Sequence, residues 1–225
     1  MPKKGSHGFW KSNGLSAVYL ALFLGAFGAQ SLAGWLSYNE DQRSHSEPTL
    51  AYSSYWASAH FWQSVGENWE SEFLQMGTYV LFTVFFFQKG SSESKDPDKE
   101  EEVDKEPDRR RLAKGVPWPV HGGGWIYGVY KHSLTLAFLI LFLLSFALHA
   151  GAGVRKFNAE AGSHGQSPLT LAQYLVSAEF WFESMQNWQS EFLAVFSMVT
   201  LSIFLRQKGS PESKPLAAAH SETGK

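Results

Sequence analysis

No cysteine occurs in the chain, which excludes disulfide scaffolds, thiolate zinc sites, iron–sulfur clusters and cysteine nucleophiles. An excess of one charge is missing too. The 19 Lys and Arg stand against 21 Asp and Glu, so the basic surplus that accompanies nucleic-acid binding is absent. There is no nucleophile elbow, phosphate-binding loop, Rossmann fingerprint or zinc motif, and neither an enzyme nor a cofactor is expected. What the chain does hold is unevenly spread. Its 225 residues average to a mean hydropathy of −0.20, which looks soluble, yet 16% of them are aromatic and the charges leave long gaps.

Those gaps are four apolar stretches. Residues 15–36 carry no charge, and 134–152 are equally apolar, so both satisfy the roughly 18 residues that mark a membrane-crossing helix. The stretches 73–87 and 192–205 reach that length only if their helices continue back through Trp69 and Trp188, taking Glu72 and Glu191 with them. Helices apolar on every face suit lipid rather than a small water-facing bundle. The expected fold is therefore all-α: a polytopic membrane protein with four transmembrane helices, over about 15–36, 69–88, 132–152 and 188–206. Ser31-Leu32-Ala33 resembles a signal cleavage site. The first stretch, however, outruns the roughly 7–15 residues of a signal core and has a counterpart in mid-chain.

Basic residues are one-sided. With four spans, 16 of the 19 fall before the first, between the second and third, or after the fourth, leaving Arg43, Arg155 and Lys156 on the other side. Positive loops stay in the cytoplasm, which predicts cytoplasmic N- and C-termini and a cytoplasmic central segment.

The chain also repeats itself. Residues 61–95 and 180–214 align without a gap at an offset of 119 and are identical at 17 of 35 positions. Each half, 1–90 and 125–209, then holds two spans, and an even number of spans makes the halves parallel. Between them, 91–124 is rich in charge and poor in apolar residues and reads as a disordered cytoplasmic linker. The tail, 210–225, reads as cytoplasmic and loose from Pro215 onward.

Tyr55, Ala59, Trp62, Gly66, Trp69 and Phe73 form a helical stripe, matched by Tyr174, Ala178, Trp181, Met185, Trp188 and Phe192. The preferred reading is an amphipathic interfacial helix before spans 2 and 4, anchored at the membrane surface by Trp62, Trp69, Trp181 and Trp188. Gly66 allows the bend this requires in the first copy, whereas Met185 offers none in the second, and one continuous protruding helix is the alternative. Asn68 and Glu72, like Asn187 and Glu191, are spaced to share a helix face. Such a pair near the outer leaflet either binds a cation or proton or only sets the helix's depth. Gln88-Lys89-Gly90 and Gln207-Lys208-Gly209 read as helix ends with a left-handed glycine cap. His149 is the only deep histidine. Gln30 takes its place in the first copy, and His60 and His132 are badly placed as second ligands. A hydrogen-bonded histidine on a polar face is therefore expected, with no haem and no metal.

The pattern FWxxxxxNWxSEFL followed by QKGSxESK, present twice around an acidic linker, resembles a family of uncharacterised bacterial integral membrane proteins classed only as a domain of unknown function. That resemblance implies a bacterial inner-membrane protein with duplicated halves and carries no activity with it. The favoured role is a non-enzymatic scaffold, accessory or envelope-associated protein. Its partners would be the lipid bilayer and a second copy or another membrane protein, with no nucleic acid. An ion or proton pathway through the paired Glu and Asn is the alternative, and a haem- or lipid-handling enzyme the remaining one.

Overall fold

The computed structural model describes residues 8–108 and 112–224. Lys3, Lys4, Arg109, Arg110, Arg111 and Lys225, which contribute to the basic bias above, lie outside them. Regular structure among the described residues is helical: α1 (Phe9–Ser44), α2 (Tyr52–Tyr55), α3 (Ala59–Phe85), α4 (Trp118–Gly122), α5 (Gly124–Tyr130), α6 (Ser133–Ser163), α7 (Leu171–Leu175) and α8 (Ala178–Phe204), with a 3-10 turn at Glu102–Asp104. Two of these helices, α1 and α6, are long and apolar enough to cross a membrane. Neither is a buried core helix. Leu22, Phe23 and Leu24 on α1, and Ile140, Leu143 and Leu144 on α6, are exposed. Large apolar surface left outward calls for a non-aqueous surround or a partner.

The chain divides into two compact units, Met1–Ser64 and Val65–Lys225. In the first, the C-terminal end of α1 holds the chain that follows it. Asn39 grips the Leu50 peptide from both sides, its Oδ1 accepting from the backbone N–H and its Nδ2 donating to the carbonyl, both at 2.8 Å. Trp35 Nε1 donates to the same carbonyl at 2.7 Å. Tyr55 is buried over Gly34, where an added Cβ would run into its hydroxyl and force the ring to shift. Phe61 is buried among Phe27, Tyr55 and Trp56.

In the second unit, α6 holds α7 by the same means. Asn158 exchanges two hydrogen bonds with the Leu169 peptide, at 2.7 and 2.9 Å. Tyr174 is buried over Gly153, where a Cβ would lie 2.5 Å from the hydroxyl. Phe180 is fully buried against Phe146, His149 and Tyr174.

α3 and α8 run unbroken for 27 residues each, about 40 Å at 1.5 Å per residue. The separate amphipathic helices expected before spans 2 and 4 therefore do not form: Trp62 and Trp69 share one helix with Phe73, and Trp181 and Trp188 share one with Phe192. The chain breaks earlier, after α2 and α7, where Ser58 Oγ and Ser177 Oγ accept from the N–H groups of Phe61 and Phe180 and start the long helices. Gly66 is not a hinge. It is a contact point, since a Cβ there would lie 2.5 Å from the backbone nitrogen of His149.

Both helices end short of their glycines. Gly90 and Gly209 do have positive φ, +88° and +84°, but they close separate turns in which Ser91 N–H bonds to Gln88 O and Ser210 N–H to Gln207 O, each at 3.2 Å. Nor is the tail loose. Lys214 is 2% exposed and donates to four backbone carbonyls: Gly90 at 2.5 Å, Glu222 at 2.8 Å, and Ala219 and His220 at 3.2 Å. An ammonium so enclosed needs those acceptors, and the tail supplies three of them. In the charged segment, Lys95 pairs with Asp104, Lys99 with Asp96 at 3.0 Å, and Lys105 with Glu102.

Candidate functional site

One face of α6 carries Ser145, His149, Ala152 and Gly153, all buried. His149 is 0% exposed although it sits near the middle of a helix of membrane-crossing character. Its ring is held at both nitrogens: Nδ1 lies 2.8 Å from Glu70 Oε2, and Nε2 lies 3.2 Å from Glu183 Oε2. Phe180 stacks on the ring at 4.7 Å. The Gly66 contact brings two of the three acidic residues of α3, Glu67 and Glu70, to this level.

Each carboxylate has its own support. Glu70 is fully buried, and its Oε1 accepts from Trp188 Nε1 at 3.0 Å. Glu183 Oε2 accepts from the Tyr174 hydroxyl at 3.1 Å, and Lys156 Nζ stands 3.8 Å from Oε1. Burial first, and then the Glu183 carboxylate, push the Tyr174 phenol above its ordinary value, which keeps it a donor. Glu67 accepts from Asn187 Nδ2, which also donates to the Glu183 carbonyl at 3.1 Å. One ligand atom each from Glu67, His149 and Glu183 lies within 4.8 Å of the other two.

Chemically the arrangement is a cation's environment. If Nδ1–H donates to Glu70, then Nε2 and Glu183 Oε2 are two acceptors facing each other, and only a proton or a metal ion between them makes that contact favourable. Setting one buried and two half-buried carboxylates beside one imidazole and one ammonium also leaves excess negative charge away from bulk water, which costs solvation unless it is matched.

The first unit has the same frame without the charges. Gln30, at the offset from His149, donates through Nε2 to Ser64 Oγ at 3.0 Å, and Ser64 is the offset position of Glu183. Tyr55, the counterpart of Tyr174, bonds to His60 Nδ1 at 2.9 Å, and its phenol is pushed up to about 12 by burial and then by Tyr38.

Asn187 belongs to the centre through Glu67 and Glu183. Asn68 and Glu72 are exposed on α3, and Glu191 receives at its backbone carbonyl the Gln75 amide, at 3.2 Å. The indole N–H groups of Trp62 and Trp181 donate to the carbonyls of Trp56 and Leu175, at 2.8 and 2.9 Å, and that of Trp188 to Glu70. His149, expected to be an ordinary hydrogen-bonded residue, is the hub. Glu67, Glu70 and Glu183 were missed. The signal that marks them is a broken repeat, because at the offset of 119 they face Gln186, Gln189 and Ser64.

Among the described residues the regular structure is all helical, with two helices of membrane-crossing character and a buried His149–Glu70 pair. Residues 6–225 match the family described as a domain of unknown function, DUF6766, and the chain belongs to that family. No curated protein matches the chain, and no solved structure does.

Proposed function

We propose that the chain is a four-span protein of the bacterial inner membrane, with cytoplasmic termini, that handles a cation at the His149 centre without making or breaking covalent bonds. The observation that carries this reading is His149 itself. It is fully buried in a helix apolar enough to cross a membrane and is held between two carboxylates. Ionisable groups at such depth are costly and mark ion or proton sites. Length supports α3 and α8 as the second and fourth spans, since about 40 Å exceeds a hydrocarbon core of about 30 Å. Duplication is supported by hydrogen bonds that recur at the same offset: Asn39 with Leu50 and Asn158 with Leu169, and the indoles of Trp62 and Trp181 with the carbonyls of Trp56 and Leu175. The scaffold or accessory role keeps one support of its own, the exposed charges of Lys99, Glu102 and Lys105 in the charged segment.

Purified protein in lipid vesicles tests the cation reading through proton, Na+ and Mn2+ flux. We expect flux that falls at least tenfold in Glu183→Gln and is unchanged in Glu72→Gln/Glu191→Gln. Equal flux in parent and Glu183→Gln, or a loss only in the Glu72/Glu191 double variant, overturns it. Reporter fusions at residue 45, within 91–108 and at the C-terminus should read outside, inside and inside.

A further inference from the structure

The donor atoms of the centre narrow the cation it takes. The set is one imidazole nitrogen and carboxylate oxygens, with no thiolate anywhere in the chain. Imidazole with carboxylate suits borderline divalent ions of the first transition row, whereas an all-oxygen cage would suit Mg2+ or Ca2+ and sulfur would suit Cu(I). We infer that Glu67, His149 and Glu183 form a binding site for a divalent first-row transition-metal ion, with Glu70 as the positioning residue. This inference rests on the cation-handling reading above and names its occupant.

Four observations carry it. Ligand atoms from all three residues lie within 4.8 Å of one another, and Nε2 and Glu183 Oε2 are 3.2 Å apart. That spacing matches neighbouring ligands around an ion bound at about 2.0–2.2 Å from each. Glu70 meets the other ring nitrogen at 2.8 Å, as carboxylates do behind metal-bound histidines, where they fix the tautomer and aim the free nitrogen. Glu70 is in turn held by the Trp188 indole, and Glu67 by the Asn187 amide. A neutral imidazole, three carboxylates, Lys156 and a divalent ion sum to zero charge, so the ion removes the excess that burial penalises.

The fourth observation is independent of the cluster's own bonds. Ser184 is 1% exposed, and its hydroxyl finds no partner among the described residues. It lies on the α8 face between Phe180, which stacks on His149, and Asn187, which bonds to Glu67. A buried hydroxyl without a partner is unfavourable in a finished interior. Water carried by a bound ion satisfies it.

The full chain, purified in detergent and stripped with chelator, is titrated with Co2+ and separately with Zn2+. Co2+ absorption in the visible reports ligand geometry, and elemental analysis reports stoichiometry. The expected result is saturation at one ion per chain, with ligand-field bands that Zn2+ displaces. Glu70→Gln should weaken affinity about 10–100-fold with the stoichiometry unchanged, while Glu160→Gln, an exposed acid of α6, should change nothing. His149→Gln/Glu183→Ser/Glu70→Gln copies the neutral Gln30, Ser64 and Gln189 of the other half and should stay folded while losing the bands. Bands or stoichiometry that persist in this folded triple variant, or no saturable binding in the parent, overturn the inference. If the parent binds no metal yet its proton or Na+ flux falls in Glu183→Gln, the occupant is wrong and the cation reading stands. If metal binds through these residues and no flux responds to them, the site stands and transport does not.

Discussion

The backbone nitrogen of His149 lies 2.5 Å from the point where a side chain on Gly66 would begin. This contact between α3 and α6 sets the level of the whole centre, because Glu67 and Glu70 reach the imidazole only while the two backbones touch.

Gly66→Ala should therefore do more than its size suggests. Overpacking at a backbone contact costs about 1–3 kcal/mol, and the shift that relieves it also draws Glu70 off the imidazole. Gly151→Ala, where an added Cβ meets nothing within 4 Å, should be neutral or stabilising by up to about 1 kcal/mol. Thermal unfolding of both variants in one detergent checks the contrast.

His149→Gln alone should be strongly destabilising, by about 3–5 kcal/mol, because it leaves the buried Glu70 and the half-buried Glu183 without their common partner. His149→Gln/Glu183→Ser/Glu70→Gln should recover most of that loss. A triple variant no more stable than the single one would show that the Gln30–Ser64 arrangement does not transfer to the second unit.

Asn158→Ala removes two hydrogen bonds from the Leu169 peptide, and Asn39→Ala removes the same two from Leu50. Each should cost about 1–3 kcal/mol, the penalty for stranding partly buried polar groups. Faster amide exchange should appear only in the chain between the asparagine and its peptide.

The charged segment should respond to pH without affecting the helices. The Asp98 backbone N–H, then Lys99, hold the Asp96 carboxyl below its ordinary range, and Lys95 does the same for Asp104. A carboxyl with a depressed folded value stabilises above its unfolded value and loses that contribution as pH falls through the depressed one. Amide exchange over 95–105 should thus quicken below about pH 4. At neutral pH it should quicken with salt, since exposed ion pairs are screened.

Much of the architecture was legible because it rests on local pattern. The apolar runs became α1 and α6, and the stripe through Trp62, Trp69 and Phe73 became one face of α3. Composition could not tell a surface helix from the first turns of a long one. That depends on where the Ser58 and Ser177 caps start the helix. The tail was misread because one lysine, Lys214, decides it, and a lysine's four carbonyl partners leave no mark in composition. At the centre, Asn187 stood out for its spacing to Glu191, yet it bonds to Glu67 and to the Glu183 carbonyl instead. Glu67, Glu70 and Glu183 were not legible, because what joins them is the tertiary crossing at Gly66.

Cation-dependent stability of the purified protein tests the central claim most directly. A ligand that binds only the folded state adds about 2.7 kcal/mol at 100 times its Kd. Melting of the parent and of His149→Gln/Glu183→Ser/Glu70→Gln should be compared across Na+, K+, Mg2+, Mn2+, Co2+ and Zn2+. The account predicts that at least one cation raises the Tm of the parent by several degrees and leaves the triple variant unmoved. Equal shifts in both proteins, or no shift with any cation, would contradict a cation site at His149.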